Sequence, residues 1–174
     1  AFMKSGMRLL IVGGGYIGLE AAATARKFGV DVTLVEIEER ILKRVAAKET
    51  SDFIRSLHIS NGVNIKEAVG LGKLEIADDK VLSASLTDGS DINVDFVVVG
   101  IGITPNTELA EGANLKINNG ILINDKCQTS VSNIYAAGDC TSFEYKDTLV
   151  RLESVGNAID QATIVAQNLS LIHI

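Results

Sequence analysis

The sequence predicts an α/β fold, a parallel sheet packed by helices with a small antiparallel meander inserted before its last strand. Three observations carry this. Short wholly apolar runs, "LLIV" and "FVVV", suit strands buried on both faces. A glycine-rich join, "VGGGYIG", separates the first run from a stretch of strong helix formers. Between residues 73 and 94, three short β-rich runs are divided by the turn-like "DD" and "TDGS".

Residues 9–12 form the first strand, and "YIGLEAAATARKF" follows as a helix that Gly29 ends. "DVTLVE", residues 31–36, is the second strand. Strand, turn, helix and strand together fill about 30 residues, the length of one βαβ unit, and its right-handed crossover makes the strands parallel. A second helix is expected over 41–60, where Ile41, Val45, Phe53, Ile54 and Leu57 recur at mostly helical spacing, with Gly62 as a cap before the strand "VNIK". The meander "KLEIA", "KVLSASL" and "DINV" comes next. "DFVVVGIGI", residues 95–103, restores a buried parallel strand, broken by Gly100 and Gly102 and stopped by Pro105. A short helix at 108–111, strands at "GILIN" and "NIYAAGD", and a helix over 154–169 complete the chain.

Composition removes whole classes of function. The formal charge is −6 and no Lys/Arg cluster occurs, which argues against a nucleic-acid or anionic-membrane binder. No apolar run approaches the roughly 18 residues of a membrane span, and the run in "MKSGMRLLIV" is too short for a signal sequence, so the chain reads as soluble. Cys127 and Cys140 form neither a disulfide framework nor a CxxC pair, and a reducing cytosol fits them best. Both read as small buried hydrophobes, and His58 and His173 have no ligand-like neighbours in sequence.

Gly13, Gly15 and Gly18 form G-x-G-x-x-G between a strand and a helix. The first glycine permits a tight turn, the second lets a pyrophosphate approach the backbone, and the third lets helix and strand pack closely. The helix N-terminus adds free N–H groups and the positive end of its dipole. Glu36, at the end of the second strand, stands where an acid accepts hydrogen bonds from an adenine ribose 2′-hydroxyl and repels a 2′-phosphate. NADH is therefore favoured, while Arg40 and Arg44 just beyond keep NADPH in view. In "TSVSNIYAAGDC", Gly138 allows a close backbone approach and Asp139 offers a carboxylate to a sugar hydroxyl.

Taken in order, "LLIVGGGYIGLE", "VVVGIGITPN", "TSVSNIYAAGDC" and "RLESVGNAIDQA" resemble the FAD-dependent pyridine-nucleotide oxidoreductases of the glutathione-reductase fold. The last motif is most similar to ferredoxin reductases that serve Rieske-type oxygenases and cytochromes P450. The resemblance implies a Rossmann-like NAD(H)-binding domain over 1–104 and the C-terminal part of an FAD-binding domain over 105–174. It implies NADH contacts at Gly13, Gly14, Gly15, Tyr16, Ile17, Gly18, Glu36 and Arg44, with Gly100, Ile101 and Gly102 beside the nicotinamide half. Glu20 is the implied catalytic helper, facing with Tyr16 the place where nicotinamide stacks on flavin. Gly138 and Asp139 are implied at the ribityl or pyrophosphate part of FAD, and Glu153, Ser154 and Val155 beside its ring. The implied activity is hydride transfer from NADH to FAD, then single electrons to an iron–sulfur ferredoxin or a rubredoxin. An NADH oxidase or disulfide reductase of the same fold, or a non-catalytic nucleotide-binding module, are the alternatives. By the same comparison the first part of the FAD domain would precede Ala1 and another domain would follow, so the chain is expected to be a fragment. The ending "SLIHI" does not match the family's continuation, and Lys146 with Arg151 are expected to give a local basic patch for an acidic partner.

Overall fold

A computed structural model describes residues 3–171, so His173 and the last three residues of "SLIHI" lie outside the described residues. The chain divides into two compact units, residues 1–102 and 103–174. In the first, β1 (Arg8–Val12), α1 (Tyr16–Lys27) and β2 (Asp31–Glu36) form the expected βαβ unit. They are followed by α2 (Lys48–Ser60), β3 (Val63–Glu67), the meander β4 (Leu71–Ala77), β5 (Lys80–Leu86) and β6 (Asp91–Asn93), and then β7 (Phe96–Val99).

The main sheet has the order β3-β2-β1-β7, and all its neighbours are parallel. Alternation along β1 and β2 sends side chains to two different cores. On one face Leu9, Ile11, Val32 and Leu34 pack with Leu19, Ala22 and Ala25 of α1. On the other, Leu10 and Val35 pack with Ala84, Leu86 and Val94 around the meander. This double cover is why the strands read as unbroken apolar runs, and fully burying each such side chain contributes about 1.5–3 kcal/mol. The meander is a separate antiparallel sheet, β4-β5-β6.

Residues 41–46 depart from expectation. They form turns, and the second helix begins only at Lys48. Ile41 is fully buried, but Phe53 and Leu57 are exposed, so their shared spacing has different causes: Ile41 is packed through a loop, and the other two lie on the outer face of α2. β7 also stops at Val99, before Gly100.

The second unit holds α3 (Glu108–Gly112), β8 (Ile121–Leu122), β9 (Thr141–Tyr145), β10 (Thr148–Val150) and α4 (Val155–Leu171). β8 pairs parallel with β9, and β9 antiparallel with β10. "NIYAAGD" is not a strand: Tyr135 makes only an isolated bridge to Gln128. The strand pairing belongs instead to the following hairpin, whose tight turn places Lys146 and Asp147 at positive φ. Among the described residues no helix is long and apolar enough to cross a membrane.

Candidate functional site

β1 delivers the chain into the glycine turn, where packing is tight. Gly13 has φ +109°, and its N–H donates to the Val35 carbonyl at 2.8 Å. A Cβ on Gly13 would overlap the Gly100 carbonyl, and one on Gly18 would overlap the Gly13 carbonyl. The first and third glycines are thus demanded by the close approach of β1, β7 and α1. Gly15 differs, because a Cβ there would meet nothing within 4 Å and its φ of −79° suits any residue. Gly15 is also the N-cap of α1, with no side-chain cap bond. The amides of Tyr16 and Ile17 have no carbonyl one turn behind them, so open space, free N–H groups and the positive helix end coincide. That combination can take a phosphate.

β2 ends beside this turn. Glu36 Oε2 accepts the Gly14 N–H at 2.7 Å, and its Oε1 accepts the Glu38 N–H at 2.8 Å. A carboxylate oxygen accepts more than one hydrogen bond, so Glu36 both pins the turn and keeps capacity for a sugar hydroxyl. The loop after β2 closes over Gly14: Leu42, at φ +55°, donates its N–H to the Gly14 carbonyl at 3.0 Å. A Cβ on Gly14 would lie 2.7 Å from Ile41 Cγ2, so the middle glycine is enclosed as Gly15 is not. The two arginines have different places. Arg40 donates to Ser51 Oγ, to the Ala46 carbonyl at 3.0 Å and to the Lys43 carbonyl at 3.3 Å, whereas Arg44 is exposed.

Around the turn the surface is apolar. Tyr16, Ile17 and Ile101 are 59%, 67% and 71% exposed. A Cβ on Gly100 would lie 4.0 Å from Ile17 Cγ2, so the end of β7 adjoins the start of α1. Glu20 follows Tyr16 by one helical turn and is exposed, and Gly102 carries φ +113°. An exposed apolar rim with one nearby carboxylate can receive a flat ring and exclude water from its face.

In the second unit Gly138, at φ +93°, opens the turn that presents Asp139 to solvent. Gln161 of α4 holds it: its Oε1 accepts the Gly138 N–H at 2.7 Å and the Thr141 hydroxyl at 2.9 Å. Gln161 and Thr141 are both buried, so this small network is fixed from within. Ser154 Oγ accepts the Asn157 N–H at 3.3 Å at the start of α4, and Val155 is 79% exposed. Arg151 corrects the expected basic patch. Its side chain is only 11% exposed, and it pairs with Glu153 at 2.9 Å while donating to the Asp139 carbonyl at 3.4 Å. Lys146 lies over the Tyr145 ring at 5.2 Å. Cys127 is buried and burial raises its thiol pKa, which fits an inert packing role.

Sequence reasoning passed over Ser51, Glu67 and Gln161. Each is polar and ordinary in its local context, and only distant backbone partners reveal it.

The model for the pyridine nucleotide-disulphide oxidoreductase family matches residues 2–162. Putidaredoxin reductase CamA of Pseudomonas putida is 45% identical over 163 residues, which cover 91% of this chain and 39% of that protein. Rhodocoxin reductase of Rhodococcus erythropolis is 41% identical over 170 residues, covering 97% and 40%. Among solved structures, the covalent putidaredoxin reductase–putidaredoxin complex superposes with a TM-score of 0.91 at 43% identity, covering 96% of this chain and 41% of that one. The chain therefore spans about two fifths of the length of these relatives. With its glycine turn, its Glu36 pin and its Gly138–Asp139 turn in a matching α/β fold, the chain belongs to the pyridine nucleotide-disulphide oxidoreductase family.

Proposed function

We propose that this chain is the NADH-binding core, with part of the FAD site, of a flavoprotein reductase that delivers electrons to an iron–sulfur ferredoxin or a rubredoxin. One observation carries the reading: Glu36 is held on Gly14 beside the open Gly15 face at the start of α1. In this reading the amides of Tyr16 and Ile17 take the pyrophosphate, and Glu36 takes the ribose hydroxyls. Gly100, Ile101 and Gly102 flank the nicotinamide half, Tyr16 and Ile17 exclude water, and Glu20 orients the ring from the helix. Arg44 stands at the exposed edge of the ribose end. The names of the similar reductases support the electron acceptor. The division near residue 102 supports a nucleotide domain over 1–104 and part of a flavin domain over 105–174.

The second unit has features that suit FAD. The exposed Asp139 carboxylate accepts no hydrogen bond among the described residues, and Gln161 keeps its turn fixed. Asp139 would hold a hydroxyl of the flavin's ribityl chain, and Glu153, Ser154 and Val155 would line its ring. FAD held there would supply a hydride acceptor for NADH and a one-electron donor to the iron–sulfur partner. The protein's residues bind, orient and exclude water. Its free cysteines suit a reducing cytosol.

The test is anaerobic mixing of the purified chain with FAD and NADH, followed by flavin absorbance and by equilibrium dialysis of each cofactor. Retention of NADH together with FAD is expected. Retention of NADH by a chain that takes up no FAD would leave a nucleotide-binding module, and retention of neither would refute the reading.

A further inference from the structure

Ser51 lies on α2, away from the glycine turn in sequence, yet it is 1% exposed and fully bonded. Its hydroxyl donates to the Ile41 carbonyl at 2.8 Å and accepts from the Arg40 guanidinium. Glu67 takes the other backbone group of the same residue, accepting the Ile41 N–H at 2.9 Å, and is itself paired with Arg55 at 3.0 Å. Both polar groups of Ile41 are thus fixed by side chains from other elements. Ile41 and Leu42 are the residues that close over Gly14, beside Glu36. Arg40 spends its donors on Ser51, Ala46 and Lys43.

We infer that Ser51 is a specificity-determining positioning residue: it keeps Arg40 bonded within the loop and Ile41 seated at the turn, so that Arg40 is withheld from the ribose end that Glu36 reads. This rests on the NADH reading above. Arg40 directly precedes Ile41, which packs on Gly14 beside Glu36, so a guanidinium freed from the loop would offer a partner to a 2′-phosphate and offset the carboxylate's repulsion. Held through one nitrogen by Ser51 and through the other by the Ala46 and Lys43 carbonyls, it makes no such offer, and Ser51→Ala removes the side-chain hold. Ser51 therefore sets the preference for the 2′-hydroxyl form of the cofactor without touching it.

The test compares dissociation constants for NADH and NADPH in the parent chain, Ser51→Ala, Arg40→Met and the double variant, with far-UV circular dichroism to verify folding. Ser51→Ala is expected to move the NADH/NADPH preference toward NADPH by about fivefold, the scale of an exposed ion pair. Arg40→Met alone should leave the ratio unchanged, and in the Ser51→Ala background it should restore the parent ratio. A purely structural role for Ser51 would weaken both cofactors in proportion, and that result overturns the proposal. It is also overturned if Arg40→Met alone shifts the ratio, a result that stands even where Ser51→Ala fails to fold. Failure of the parent to bind either nucleotide would instead sink the NADH reading, and this inference with it.

Discussion

The glycines of the turn serve two purposes that a pair of alanine substitutions separates. In Gly18→Ala the new methyl would lie well inside 3.0 Å of the Gly13 carbonyl oxygen, which is backbone and cannot swing away. Overpacking of this kind costs about 1–3 kcal/mol, and here β1 or α1 must shift to relieve it. In Gly15→Ala the methyl meets nothing, and φ is already −79°. Loss of the favoured N-cap residue costs up to about 1 kcal/mol, and the reduced freedom of the unfolded chain returns about 0.4–1 kcal/mol, so stability barely changes. The open space at Gly15 is nevertheless where, in the proposed function, the pyrophosphate approaches the backbone. Thermal melts followed by circular dichroism should show Gly18→Ala melting several degrees early, since about 1 kcal/mol moves a domain of this size by roughly 4–8 °C. Gly15→Ala should melt like the parent while NADH binding, followed by its fluorescence, falls at least tenfold. A Gly15→Ala variant that binds NADH like the parent would refute the assignment of the open face, and one that melts as early as Gly18→Ala would refute the packing argument.

Two further outcomes follow from the same geometry. Gln161→Leu removes the acceptor of the Gly138 N–H, at about 1–3 kcal/mol, while the Thr141 hydroxyl keeps the Gly138 carbonyl at 2.8 Å, so hydrogen exchange should accelerate at Gly138 and the second unit should melt earlier. Asp95 is held down at about 2 by its hydrogen bonds from Arg8. A carboxyl depressed on folding contributes stability above its unfolded value near 3.8 and loses it as pH falls through about 2. Asp95→Asn should therefore lower the melting temperature at pH 7, and the difference from the parent should close between pH 4 and pH 2.

The first unit was legible where its causes are local. Consecutive apolar residues, a glycine turn, helix formers and a terminal acid mark β1, α1, β2 and Glu36 without knowledge of any distant contact. Residues 41–46 were not legible, because Ile41 and Leu42 enter the core from a loop that closes over Gly14 rather than from a helical stripe, and Leu42 takes a left-handed conformation that nothing in its type announces. "NIYAAGD" misled for a related reason: an Ile–Tyr pair ahead of small residues says nothing about which segment supplies a pairing partner, and the partner of β8 is the next segment, Thr141–Tyr145. Ser51 and Gln161 look like surface residues until the carbonyl or amide each one serves, on another part of the chain, is known. Arg151 read as a surface cation because burial of a long side chain depends on what folds over it.

In the proposed function the turn and Glu36 together bind a dinucleotide bearing a free 2′-hydroxyl. Calorimetric titration of the purified chain with NADH and NADPH, repeated on Glu36→Gln, tests it most directly. The parent should bind NADH at least tenfold more tightly than NADPH, and Glu36→Gln should lose most of that preference. Equal affinity for both nucleotides in the parent, or a preference that survives Glu36→Gln, would contradict it.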